Sequence, residues 1–176
     1  IASFIGGACQ DGPVSAHAHP TIDDTIVGWR EWVRLTAYDV PWIKAKVDTG
    51  AKTSSLHAFE LTESSDAAGA PTVTFQIHPW QATDLDAVTV TLPVHDRRLV
   101  RSSSGHAEER LVVLMDLALA GRTITAEVTL TDRDEMGFRM LIGREALAQG
   151  FVVDSRLSYA GGRPMRATRR RNWGKS

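Results

Sequence analysis

The sequence contains a single cysteine, Cys9, among its 176 residues. One thiol excludes an intrachain disulfide and a thiolate-ligated zinc cluster, and it suits a reducing compartment. A cytoplasmic protein is therefore expected, or a periplasmic one if a leader has already been removed. Charge of one sign is also lacking: 20 Lys and Arg face 21 Asp and Glu, for a formal net charge of −1. No global field then argues for nucleic acid or an anionic membrane as partner. No apolar run approaches the roughly 18 residues of a membrane-spanning helix, so no span is expected.

Two chemical signatures are missing as well. His57, His78, His95 and His106 are scattered, with no H-E-x-x-H helix to gather them, so no metal is expected. The best local donor group is His106 with Glu108 and Glu109. The stretch "DTGAKTSS" has a Gly and a Lys-Thr but lacks the first glycine and the spacing of a phosphate loop, so neither ATP nor another cofactor is expected.

What is present is alternation of apolar and polar residues. Val33, Leu35 and Ala37, then Ile43, Ala45 and Val47, stand at every second position on either side of a turn at residues 38–41. That pattern predicts a hairpin. Similar runs at Val73-Phe75-Ile77, Val88-Val90-Leu92 and Ile124-Ala126-Val128-Leu130 predict further strands. Residues 111–119 carry apolar side chains on both faces, which predicts a fully buried strand. The clearest helix candidate is short, "GREALAQG" at residues 143–150. The chain thus reads as a mostly β domain over residues 25–160. Residues 1–24 lack periodicity and read as a flexible arm. Residues 161–176 carry Arg163, Arg166, Arg169, Arg170, Arg171 and Lys175 with no acid, and read as a basic flexible tail. Clustered arginines could tether phosphate, but no aromatic interleaving supports a reader of single strands, so nucleic acid is not the expected partner.

Three polar stretches interrupt the strands, at residues 62–71, 78–86 and 101–110. The last, "RSSSGHAEER", offers Arg101, Ser102, Ser103, Ser104 and Gly105 to an extended peptide backbone, as a flap would. "HPWQATDLD" competes for that role through Trp80.

The chemistry-bearing stretch is "AKVDTGAKTSSLHAF". An apolar strand ends at Val47 and runs into Asp48, Thr49 and Gly50. A carboxylate placed where a strand leaves the core is half buried yet faces a cleft, a setting in which acid–base chemistry can be tuned. The ordinary alternative is a turn residue. A second unit, "MLIGREAL", lies near the far end of the β region.

Together these motifs resemble the retropepsin-like aspartic proteases, whose subunits carry Asp-Thr/Ser-Gly-Ala after a strand and a late apolar-apolar-Gly-Arg segment opening a helix. The matching residues are Asp48-Thr49-Gly50-Ala51 and Leu141-Ile142-Gly143-Arg144-Glu145. "VDTGAKTSSLHA", "VRSSSGHAEERLVV" and "MLIGREAL" are similar, more closely, to the bacterial family called ATP-dependent zinc proteases or RimB-type proteins, over residues 27–156.

The resemblance implies a retropepsin-like closed β-barrel with one short helix on its C-terminal side and an active site at a homodimer interface. It implies an aspartic endopeptidase: the single Asp-Thr-Gly calls for a second Asp48 from another subunit, and the two carboxylates share a proton to activate water. Thr49 and Gly50 would complete the catalytic loop, Ala51 and residues 101–105 would contact substrate, and Gly143 and Arg144 would support the loop. Lys52 sits awkwardly for proton sharing. The resemblance also implies a peptide or protein substrate and a RimK-type ATP-grasp ligase, or its product, as partner. The competing class is a catalytically weak or inactive peptide-binding module that regulates such a ligase.

Overall fold

The computed structural model describes residues 24–101, 107–131 and 137–174, with Arg101 described by its backbone alone. The strands, in chain order, are β1 (Thr25–Gly28), β2 (Arg30–Leu35), β3 (Val40–Asp48), β4 (Ser54–His57), β5 (Phe59–Ser65), β6 (Pro71–Ile77), β7 (Val88–Pro93), β8 (Asp96–Arg101), β9 (Ala107–Leu119), β10 (Arg122–Thr131), β11 (Met140–Gly143) and β12 (Phe151–Asp154). Two short helices, α1 (Arg144–Leu147) and α2 (Arg166–Arg171), complete the chain. The protein is mostly β, as its alternation predicts.

The period-2 pattern explains the main sheet. In β2 and β3, Val33, Leu35, Ile43, Ala45 and Val47 are buried, and the two strands pair antiparallel. A 3-10 turn at Thr36–Tyr38 joins them, closed by Asp39 in the left-handed region at φ 56°, which Asp tolerates better than most side chains. The ladder runs β10–β4–β11–β3–β2–β9–β8, and β9 also pairs with β10 from Arg122↔Leu119 to Thr129↔Val112. A core of Val33, Ile43, Leu56, Met115, Leu117, Val128 and Ile142 fills the space inside. Each such aliphatic side chain, fully buried, contributes about 1.5–3 kcal/mol. A separate three-stranded sheet, β5–β6–β7, packs Val73, Phe75, Ile77 and Val90 into the same core.

Three expectations change. The strand at residues 111–119 is buried on both faces only at its start: Leu111, Val112 and Val113 are all buried, but Leu114 is 44% exposed and Asp116 is exposed, because from Val113 onward only alternate residues face the core. The first polar stretch is not all loop, since residues 62–65 extend β5. Their side chains are exposed on an edge strand, so no apolar alternation marks them. The turn proper is short, with Asp66 Oδ1 accepting from the N–H groups of Ala68 and Ala70, both at 2.9 Å.

The third concerns the basic C-terminal stretch, which carries α2 and docks. Asn172 is fully buried. Its Oδ1 accepts from Gln81 N–H and its carbonyl from Ala82 N–H, both at 3.1 Å. The Lys44 ammonium lies 4.7 Å from the Trp173 ring centroid. Arg171 adds an ion pair with Asp86 at 2.8 Å, but arginine-rich composition alone does not reveal which of its groups find a partner.

A buried carboxylate, Glu31, fastens the segment before α2. It accepts from the N–H groups of Gly28 at 2.7 Å, Ala160 at 2.8 Å and Gly161 at 3.2 Å. At Gly28 a Cβ would stand 2.4 Å from the Leu157 carbonyl oxygen, so β1 and this segment touch backbone to backbone.

Two measurements check this account. Asn172→Ala removes Oδ1 and strands the Gln81 N–H, and should cost about 1–3 kcal/mol, read as a melting temperature lower by about 2–4 °C per kcal/mol. The second concerns acid. The Arg98 guanidinium, hydrogen-bonded to Glu127, holds that carboxyl below its ordinary value of 4.5, with His95 adding to the effect. Its stabilisation is whole above that value and drains as pH falls through the lower folded value. Glu127→Gln should therefore flatten the acid limb of a melting-temperature profile while leaving its shape above pH 5 unchanged.

Candidate functional site

Alternation along β3 sends Ile43, Ala45 and Val47 into the core and Lys44, Lys46 and Asp48 to the opposite face. Asp48 ends the strand with its side chain 30% exposed. Its Oδ1 accepts from the N–H groups of Gly50 at 3.0 Å and Ala51 at 3.3 Å. A Cβ on Gly50 would stand 3.2 Å from that oxygen, so glycine lets the loop curl over the carboxylate. Oδ2 faces outward, 3.6 Å from Lys46 Nζ.

Parallel pairing of β11 with β3 sets Gly143 opposite Asp48. A Cβ on Gly143 would lie 2.6 Å from the Thr53 carbonyl carbon and oxygen, a distance no side chain tolerates. The close approach lets the start of α1 grip the Asp48 loop. Arg144 N–H donates to the Ala51 carbonyl at 2.9 Å and Glu145 N–H to the Lys52 carbonyl at 3.2 Å. The Arg144 guanidinium donates to the Gly50 carbonyl at 3.3 Å. Beneath them Ser54 Oγ accepts from Gly143 N–H at 3.1 Å, and Thr129 Oγ1 donates to the Ser54 carbonyl at 3.1 Å.

The residues expected at the site thus divide. Asp48, Thr49, Gly50, Ala51, Gly143 and Arg144 come together at one end of β3 and β11. Ser102, Ser103, Ser104, Gly105 and His106 lie outside the described residues, as does the Arg101 side chain. The arms that carry this stretch are β8 and β9, paired from Asp96↔Val112 to Arg101↔Ala107. In the ladder, β2 and β9 stand between β3 and β8.

"HPWQATDLD" does not have the freedom of a flap. Trp80 is 4% exposed, its indole N–H donates to Asp86 at 2.6 Å, and the backbone of residues 81–82 is tied to Asn172.

Two electrostatic features escaped the motif. Lys52 turns away from Asp48 and pairs with Glu145 at 3.5 Å. The cation against the carboxylate is Lys46, two residues upstream, a neighbour that the same-face rule for strands identifies. Both pairs are exposed, so each contributes only about 0–1 kcal/mol and yields readily to a competing partner. Ser54 and Thr129 were also missed, since a hydroxyl in a strand carries no signal until its partner is known.

The histidines stay dispersed. His57 packs edge-on to Phe59 and Phe59 stacks on His78, each pair with centroids 3.9 Å apart. His78 Nδ1 lies 3.0 Å from Asp84, and His95 Nε2 lies 3.3 Å from Glu127. Among the described residues no three His, Cys, Asp or Glu groups converge. Nor is any helix among them long and apolar enough to cross a membrane.

Comparison with known proteins places this geometry. "Probable alpha-L-glutamate ligase" proteins of Desulfotalea psychrophila and Shewanella pealeana are 40% and 42% identical over 135 and 134 residues, 77% and 76% of this chain. The chain spans only 29% of the length of either relative. A crystal structure of a Legionella pneumophila protein of unknown function superposes with a TM-score of 0.67 at 28% identity, covering 77% of this chain and 97% of that one. The family model described as retropepsin-like aspartic endopeptidase RimB matches residues 26–164. By that match and the identity to these relatives, the chain belongs to the RimB-like family of retropepsin-like proteins.

Proposed function

We propose that the protein is an aspartic-type endopeptidase that works as a homodimer, with one Asp48 from each subunit forming the catalytic pair. The observation that carries this reading is the seating of Asp48. One carboxylate oxygen is fixed by two backbone N–H groups, and the other faces outward from a loop clamped by Gly143 and Arg144. A fixed oxygen sets the orientation of the carboxyl plane, and the open one is where water or a second carboxyl can meet it. Brought together across a two-fold axis, the pair would hold one proton between them. The ionised member then takes a proton from water while the protonated member hydrogen-bonds the peptide carbonyl oxygen. Lys46 must swing from Asp48 as the pair forms, and the weak exposed contact permits it. The hairpin arms β8 and β9 support residues 102–105 as the substrate flap.

Relatives that carry this domain are described as α-L-glutamate ligases, which supports a substrate in that chemistry. We infer that the scissile bonds lie in a protein segment extended by α-linked glutamates, and that a RimK-type ATP-grasp ligase is the functional counterpart. A second reading keeps the fold but not the hydrolysis, leaving a regulatory module for the ligase. The ion pair between Lys46 and Asp48 favours it, because a carboxylate so paired in each subunit is already neutralised.

Mixed dimers joined by fusion separate the two. Asp48→Asn in one subunit should lower cleavage of an α-glutamyl peptide by several orders of magnitude while melting temperature and dimer mass stay unchanged. Near-wild-type cleavage would sink the paired-carboxyl mechanism. Chelation supplies an independent check: treatment with EDTA, followed by metal analysis of the treated protein, should leave the cleavage rate unchanged.

A further inference from the structure

The outer face of the β2–β3 hairpin is cationic to an unusual degree. Arg30 stands directly opposite Lys46, a like-charge cross-strand pair, and Trp32 opposite Lys44. Such pairing destabilises a sheet when nothing offsets it. The loop after β12 and helix α2 rise beside this face, and between them lies a cavity of about 400 Å³. Its cations are Lys44, Arg163, Arg166, Arg169 and Arg170, and its walls are the rings of Trp32, Tyr159 and Trp173. No carboxylate lines it.

Lys44 is the telling group. It is only 6% exposed. Among the described residues its ammonium has aromatic faces as neighbours, Phe138 and Trp173, each 4.7 Å away, and no acid. Burial and then the charge of Arg30 push it below its ordinary value. The Nε atoms of Arg30 and Arg169 are likewise buried without a hydrogen-bond partner among the described residues. The nearest buried carboxylate, Glu31, points to the other side of β2 and is taken up by three backbone N–H groups. Leaving a buried cation without an anion is costly, and the cost is recovered when an anion arrives.

We propose that this pocket is a docking site for an acidic peptide segment, separate from Asp48, that feeds the segment along β3 to the catalytic loop. The proposal rests on the peptidase reading for its destination but not for its binding site. Lys44, Lys46 and Asp48 occupy one face of one strand, and the four-residue spacing spans about 13 Å, the length of about four extended residues. Carboxylate side chains suit the lining, because arginine forks bind them in pairs and the aromatic rings hold the guanidinium planes in place. The Arg163 and Arg30 guanidinium carbons lie 4.7 and 4.9 Å from the Tyr159 ring centroid. An acidic peptide is favoured over RNA because relatives that share this domain are described as probable α-L-glutamate ligases, and an extended peptide repeats its carboxylates at the same two-residue interval at which Lys44 and Lys46 line the outer face of β3. The wall formed by α2 lies beyond the family match, which ends at residue 164. Helix α2 thus completes, from outside the family match, a pocket whose other wall lies within it.

Fluorescein-labelled hexa-α-L-glutamate, titrated by anisotropy into Asp48→Asn protein so that no turnover intervenes, tests the pocket. Saturable binding that weakens with salt is expected. Arg163→Gln/Arg166→Gln/Arg169→Gln should weaken it by at least about tenfold, and Lys44→Met, made separately and checked for folding by melting, by a similar factor. Hexaglutamine should not bind. Unchanged affinity in both folded variants would overturn the proposal, as would equal binding of hexaglutamine, or a short single-stranded RNA that displaces the peptide and binds more tightly. The readings fail separately. Arginine-dependent binding by a wild-type protein that cleaves nothing would leave the pocket standing and remove the peptidase. Cleavage whose KM ignores the arginines would do the reverse.

Discussion

The site depends on one contact, the approach of Gly143 to the carbonyl of Thr53. A Cβ there would lie 2.6 Å from backbone atoms, so any other residue would force β11 away from the Asp48 loop. With glycine in place, β11 pairs parallel to β3 on one side and antiparallel to β4 on the other. It thereby holds both ends of the loop that runs from Asp48 to Thr53. The first turn of α1 follows at once, so its free N–H groups meet that loop's carbonyls instead of water. Helix start and Asp48 loop satisfy each other's backbone, and neither requires a side-chain cap.

From this clamp follows the state of the carboxylate. Two N–H groups fix Oδ1, and the strand's alternation puts Lys46 beside Oδ2. The chain thus presents an aspartate oriented by backbone and neutralised by a mobile side chain. Backbone donors cannot leave, whereas a half-exposed lysine can. An aspartate held this way keeps its orientation when its ionic partner is exchanged, which the proposed pairing of carboxyls requires.

Much of this was legible in the sequence because the governing signals are local. Alternation located β2, β3, β6, β7 and β10, and "GREALAQG" marked α1. The motif residues Asp48, Gly50, Gly143 and Arg144 do meet. What escaped was everything decided by pairing at a distance. Residues 62–65 and 96–101 are strands whose outward faces are polar or exposed, so their sheet partners and not their own pattern define them. Lys52 drew suspicion for being adjacent in sequence, yet Lys46 is the neighbour in space. The arginine-rich end read as unstructured because composition cannot reveal that Asn172 completes the hydrogen bonding of residues 81–82. Glu31, buried at 0% exposure, carries no apolar or motif signal in the sequence.

These cases share a cause that also links the two proposed functions. A strand carries two messages at once, and the core claims only one of them. In β3 the inward residues Ile43, Ala45 and Val47 fix the register. That register obliges Lys44, Lys46 and Asp48 to fall in line on the outer face. A one-residue slip would bury the charged set and expose the apolar one, so hydrophobic burial enforces the line of charges with the full energy of the core. The fold needs only half of each strand for its stability. The other half is free to order two cations and an aspartate along a track whose spacing cannot drift.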